Sequence, residues 1–176
     1  MKKSGLVVAK IKNKIFRLRR KDFVLSYYRK HGIKIGNNCL VCTPLLLEEP
    51  YLLEIGDNVS ISSHVIFLTH DYSIHNVTGR STLYGKIKIG NNCFLGNACI
   101  ILPGVTLADN IIVGAGSVVT KSFEQSNVII AGNPAKVIGT WDAFKDKYAD
   151  KGICHGGSKK EIKAAVNANL DKLIVK

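Results

Sequence analysis

The sequence predicts an all-β fold, a parallel β-helix wound from hexapeptide repeats, with a basic helix before it and two helices after it. Three observations predict this. Aliphatic residues fall every sixth position at Ile89, Leu95, Ile101, Leu107, Val113 and Val119. A mostly small residue (Cys93, Cys99, Val105, Ile111, Ser117) follows four positions after each of the first five. One phrase recurs almost letter for letter, as Ile35-Gly36-Asn37-Asn38-Cys39, Ile55-Gly56-Asp57-Asn58-Val59 and Ile89-Gly90-Asn91-Asn92-Cys93. A helix repeats every 3.6 residues and a strand every two, so a strict six requires one short strand and one turn per unit. Three units then return the chain over itself as a prism that buries its aliphatic positions coil on coil.

Residues 1–32 read as a basic helical arm. Residues 1–34 hold 12 of the 25 Lys and Arg but a single acid, Asp22, so they carry nearly all of the net charge of +12. Ile11, Ile15, Leu18 and Leu25 stand at roughly helical spacing, with Phe16, Phe23 and Tyr27 nearby. Two readings fit: a helix capping the open end of the prism, or attraction to an anionic surface, whether a membrane leaflet, a lipid-linked glycan or an acidic polysaccharide. Nucleic acid is excluded as a partner because no recognition motif accompanies the charge. No apolar run is long enough to span a membrane and no signal segment opens the chain, so a cytoplasmic protein is expected, with peripheral contact at the inner membrane face open.

Residues 33–140 form the repeat domain. The six-step breaks twice, between Val41 and Ile55 and between Phe67 and Ile89, so two loops leave the prism, one within about 44–54 and one within about 68–86. Loops on a rigid scaffold concentrate binding and catalytic residues. Gly90, Gly96 and Gly114 suit bends where a side chain would crowd or φ be unusual. Cys39, Cys93 and Cys99 occupy the small inward position and read as packing residues. Cys154-His155 lacks a second ligand pair at zinc spacing. From 141 to 176 the chain reads as a helical extension: a short helix at Trp141–Tyr148, then a second opened by the Ser158…Glu161 capping box.

The stretch Ile89–Thr120, its continuation Ala131-Gly132-Asn133-Pro134-Ala135-Lys136-Val137-Ile138, and the step Thr69-His70-Asp71 resemble the left-handed β-helix, hexapeptide-repeat acyltransferases, most of all the sugar and polysaccharide O-acetyltransferases. Left-handed coiling is implied by this resemblance alone; right-handed crossovers are the general rule. The resemblance implies an acetyl-coenzyme A-dependent transfer to a sugar or polysaccharide hydroxyl without a required metal, in a homotrimer with sites between subunits. It makes His70 the general base, since a neutral imidazole can take the hydroxyl proton during direct attack on the thioester. It places Asn97 and Ala115 beside the pantetheine arm, Thr120 and Lys121 further out, and Lys136 toward the nucleotide phosphates. Lys136 stands where relatives often carry Arg, and Cys42 lies near an Asn of the sugar acetyltransferases. Asp71 and Tyr72 are candidates to orient His70 or meet the acceptor, His75 a weaker one, and His64 reads as a turn residue.

Other classes share these features. N-acetylation of an amino sugar or xenobiotic would use the same base. A metal-dependent hydratase of the γ-class carbonic anhydrase type would use two His at the spacing of His70 and His75, but no His stands two coils before His70 to complete the set. A catalytically silent binding module would keep the prism without the transfer.

Overall fold

The repeat closes because the short strands of the prism lie parallel on the strands one coil away. The structure, a computed structural model, describes residue 7, residues 22–155 and residues 157–174. The described residues up to Ile138 form one compact unit and those from Gly139 a second. In chain order the elements are α1 (Asp22–Lys30), β1 (Lys34–Ile35), β2 (Leu40–Val41), β3 (Leu53–Ile55), β4 (Ser60–Ile61), β5 (Ile66–Phe67), β6 (His70–Asp71), α2 (Ser73–Thr78), β7 (Leu83–Tyr84) and β8 (Ile87–Ile89). There follow β9 (Phe94–Leu95), β10 (Ile100–Ile101), β11 (Thr106–Leu107), β12 (Ile111–Val113), β13 (Val118–Val119), β14 (Val128–Gly132), β15 (Ala135–Thr140), α3 (Trp141–Tyr148) and α4 (Lys159–Asn167).

Three sheets form the faces: β1-β3-β8-β11, β2-β4-β9-β12-β14-β15 and β5-β10-β13. Their registers stack like on like. Ile35, Ile55, Ile89 and Leu107 make one column, Val41, Ile61, Leu95, Val113 and Ile130 a second, and Phe67, Ile101 and Val119 a third. All but Val41 are buried, as are Cys39, Cys93, Cys99, Val105, Ile111 and Ser117 at the small inward positions. Burial pushes the Cys93 and Cys99 thiols up to about 11, which leaves them as inert packing groups.

The recurrent Gly-Asn-Asn phrase has a separate physical cause for each letter. The glycine lies where coils touch: a Cβ on Gly90 would come within 2.6 Å of the Ala108 carbonyl carbon, and one on Gly96 within 2.5 Å of the Ala115 nitrogen. Crowding, not φ, selects glycine there. The next residue's side chain accepts from the preceding coil's backbone: Asn37 N donates to Asp57 Oδ1 (2.6 Å), Asp57 N to Asn91 Oδ1 (2.8 Å) and Asn91 N to Asp109 Oδ1 (2.7 Å). The third, Asn38, Asn58, Asn92 or Asn110, turns the corner at positive φ, which Asn tolerates better than other side chains. Asn92 Nδ2 donates to Asn110 Oδ1 (3.1 Å) and Asn110 Nδ2 to Asn127 Oδ1 (2.9 Å), so the corner carries an amide ladder. His64 turns another corner at φ 62°, exposed.

Helix α1 is tied to the first coil. Val24, Leu25 and Tyr28 enter the core. The Tyr28 hydroxyl donates to Thr43 O (3.4 Å) and accepts from Leu45 N (3.2 Å), and Arg29 donates to the carbonyls of Ile35 (2.8 Å) and Gly36 (2.6 Å). Ile11, Ile15, Phe16 and Leu18 lie outside the described residues. In the second unit, Thr140 Oγ1 caps α3 through Ala143 N, and Ser158 and Glu161 form the reciprocal capping box of α4. The α4 pattern stops at Asn167; Leu170–Lys172 continues as a 3-10 turn. Among the described residues no helix is long and apolar enough to cross a membrane.

Candidate functional site

Both breaks in the six-step become loops, of very different size. The first shifts the register by only two residues beyond a coil (Ile35 against Ile55), whereas the second adds sixteen (Ile55 against Ile89). The second loop leaves and re-enters at one neck, where Gly85 N donates to Thr69 O (2.9 Å). Beyond the neck, β6 and β7 pair antiparallel with His70 opposite Tyr84, and α2 spans the tip. His70 therefore stands on the first residue outside the prism, anchored by buried Thr69.

The two loops meet at His70. Glu49, from the first loop, accepts at Oε2 from both the Thr69 hydroxyl (2.8 Å) and His70 Nδ1 (2.9 Å). The Glu49 side chain is 12% exposed and that of His70 39%. The Glu49 hydrogen bond holds the His70 pKa above its ordinary value, and the His70 hydrogen bond holds the Glu49 carboxyl below its own. With Nδ1 committed to Glu49 as donor, Nε2 is the basic nitrogen. The Tyr84 ring, tilted at 58° and 6.2 Å from the imidazole between centroids, flanks the site.

The remaining residues singled out by sequence fall into separate groups. Asp71 Oδ1 accepts from Ser73 N (2.8 Å), which draws its carboxylate into shaping the loop and lowers its pKa. Tyr72 stacks on His75 at 4.7 Å and 17° and remains more than half exposed. Asn97 and Ala115 lie on stacked turns at the start of the β10 and β13 strands, where Gly116 N donates to Asn97 O (2.8 Å). Thr120 and Lys121 follow β13 at the opposite end of that sheet, the end that His70 follows from β5, and the Lys121 ammonium sits 5.8 Å from the Phe123 ring centroid. Lys136 is exposed on β15. One chain thus brings Asn97 to Ala115, and His70 to the same sheet end as Thr120 and Lys121, without bringing the two groups together.

Glu48 and Glu49 were not singled out in the sequence, and Thr69 only as part of the Thr69-His70-Asp71 step. Their signal was present but weak: two acids before Pro50 in a loop already marked by the broken repeat. Which loop residue reaches His70 is a tertiary fact. Among the described residues, the one group of three potential metal ligands with mutually close donor atoms is Glu48, Glu49 and His70; it contains neither His75 nor a second His.

Comparison with known proteins agrees with the fold and the repeat. The family described as "Hexapeptide repeat of succinyl-transferase" matches residues 86–121. Protein CapG of Staphylococcus aureus is 41% identical over 146 residues, covering 80% of this chain and 84% of its own length. Galactoside O-acetyltransferase of Escherichia coli K12 is 39% identical over 109 residues, covering 61% of this chain and 53% of the relative. In structure, a hexapeptide-repeat-containing acetyltransferase of Vibrio cholerae O1 biovar eltor, complexed with acetyl coenzyme A, superimposes with a TM-score of 0.59 at 20% identity, over 78% of this chain and 86% of that one. With its six-residue period, its three-faced coil and a relative of this similarity along most of both chains, the protein belongs to the hexapeptide-repeat acyltransferases.

Proposed function

We propose that this chain transfers an acetyl group from acetyl coenzyme A to a hydroxyl of a sugar or cell-surface polysaccharide precursor, with His70 as general base and Glu49 as its positioning residue. The observation that carries the reading is the Glu49–His70 hydrogen bond at the neck of the excursion loop. Galactoside O-acetyltransferase among the relatives, and the acetyl coenzyme A complex of the same fold, support the acyl donor and the acceptor class.

The chain offers features that fit the donor. A long, thin pantetheine arm needs a narrow strip of exposed backbone, and the turns at Asn97 and Ala115 are packed so closely that Gly96 admits no Cβ. Phosphates need cations, and Lys121 and Lys136 are exposed. Bound, acetyl coenzyme A supplies an activated acyl carbon. The protein's own part is proton handling. Nε2 of His70 takes the proton of the attacking hydroxyl, and Glu49 holds the ring in the tautomer that can do so and stabilises the imidazolium that forms. Thr69 fixes the carboxylate by donating to the same oxygen. The proton then leaves through His70 to the departing thiolate.

The separation of the Asn97–Ala115 turns from the His70 end of the sheet supports a homotrimer in which one subunit's turns face another's His70. The left-handed sense of the coil belongs to the same reading. His70→Ala tests the function: transfer to a sugar acceptor should fall at least about 100-fold while coenzyme A binding persists by calorimetry. Near-wild-type turnover would remove His70 from the mechanism.

A further inference from the structure

Glu48 stands beside the proposed base. Its carboxylate is exposed and makes no hydrogen bond or salt bridge to another described residue. A carboxylate oxygen of Glu48 nevertheless lies within 4.8 Å of both a His70 ring nitrogen and a Glu49 oxygen. Its neighbour Glu49 accepts from both Thr69 and His70 through Oε2, and Asp71 accepts from Ser73 N through Oδ1. Glu48 is therefore an exposed carboxylate beside the base that makes no hydrogen bond to another described residue.

Two properties of that group restrict what it can face. An ionised carboxylate only accepts hydrogen bonds. With a Glu48 oxygen within 4.8 Å of a His70 ring nitrogen, the carboxylate and the imidazole stand close enough to meet two neighbouring hydroxyls of one sugar ring, each at about 2.7 Å. Moreover, the charges that bear on His70 are all of one sign, from Glu49, Glu48 and Asp71, in a chain whose net charge is +12. An acceptor carrying its own carboxylate or phosphate next to the reacting hydroxyl would add a further negative charge to this cluster.

We propose that Glu48 determines acceptor specificity: it accepts a hydrogen bond from the hydroxyl adjacent to the one that His70 deprotonates, so the acceptor is an uncharged sugar with two neighbouring free hydroxyls, and uronic acids are rejected. This rests on the transferase reading above and names its substrate class. The interaction is charge-assisted and made to the acceptor, so it acts on acceptor binding more than on the base itself.

The test uses the full-length enzyme with acetyl coenzyme A and a panel of methyl glycosides: gluco-, galacto- and mannopyranosides, the matching hexuronides, and analogues of the best acceptor deoxygenated beside the acetylated position. Wild-type enzyme should prefer the uncharged members and lose about tenfold or more in kcat/KM on the deoxy analogue. Glu48→Gln should raise the acceptor KM about tenfold, lose most of the penalty for the deoxy analogue, and narrow the preference over uronides, with the acid limb of kcat moved little. Thermal unfolding of the variant checks that it folds. A preference for uronides, or a Glu48→Gln variant with unchanged KM and unchanged charge preference, would overturn the proposal while leaving the transferase reading intact. A shifted acid limb without a change in acceptor KM would also overturn it, by making Glu48 a modulator of His70. Transfer to no sugar at all would overturn both readings together.

Discussion

At His70, chemistry and electrostatics make one demand: a base must be neutral to accept a proton, yet Glu49 favours its charged form. The pKa is accordingly raised, mainly by the Glu49 hydrogen bond, so the acid limb of kcat should lie above that of an unpaired imidazole. Glu49→Gln removes the charge that favours imidazolium. Its limb should move to lower pH, and its plateau should fall by about tenfold or more, as losses of a partner to a functional His commonly do; a pH-rate profile of both proteins reads both effects. The same pair links to stability with a definite sign. A raised His pKa contributes stability that is present below the unfolded imidazole value and lost as pH rises through the folded one, while the lowered Glu49 pKa contributes above the unfolded carboxylate value and is lost as pH falls through the folded one. Denaturant titrations should therefore separate wild type from Glu49→Gln most between the carboxylate and imidazole ranges, and less at alkaline pH. Equal differences at all pH values would mean that the pair is not ionised as described.

A strand of two residues is not a stable element by itself; the column is. Ile101, fully buried between Phe67 and Val119, shows this. Ile101→Ala should cost about 2–5 kcal/mol of unfolding free energy, measured by denaturant titration, although the residue has no contact with the proposed chemistry. Gly96→Ala should also destabilise, by crowding, since its added Cβ would meet Ala115 backbone that has no flexible end to give way. For the N-terminal arm, the buried residues of α1 and the charges that precede it, which lie outside the described residues, make opposite predictions. Leu25→Ala removes core from the first coil and should lower the melting temperature. Neutralising Arg17, Arg19, Arg20 and Lys21 together should leave melting nearly unchanged. Those four act, if the anionic-surface reading holds, through screened attraction over about 10 Å at 0.1 M salt, so the same variant should lose binding to anionic vesicles at low salt. Vesicle binding that ignores the four substitutions would leave the helix as a cap alone.

For the molecule as a whole, the division of candidate residues between two ends of one sheet makes assembly testable. A His70→Ala variant and an Ala115→Trp variant, each inactive alone, should recover activity when refolded together if a site draws its base from one subunit and its donor groove from the next. Light scattering should give three chains per particle. A fully active monomer, or mixtures that recover nothing, would place both groups on one chain and contradict the shared site.

What could be learned from the sequence follows the range of the interactions involved. The six-residue period, the inward cysteines and the Gly-Asn-Asn corners were legible because each repeats a contact that the next coil makes again, so one-dimensional spacing reports it directly. The Trp141–Tyr148 helix and the Ser158–Glu161 capping box were legible because they close within four residues. His70 was legible as the residue where the period breaks. Its surroundings were not: Glu49 lies 21 residues away in another out-of-frame loop, and no period relates two insertions. The tertiary structure alone decided that Thr69 and His70 share one Glu49 oxygen, that Glu48 stands beside them without a hydrogen bond to another described residue, and that Asp71 serves the loop. Repeats encode their own neighbours, whereas a site assembled from two interruptions exists only once the coil between them has closed.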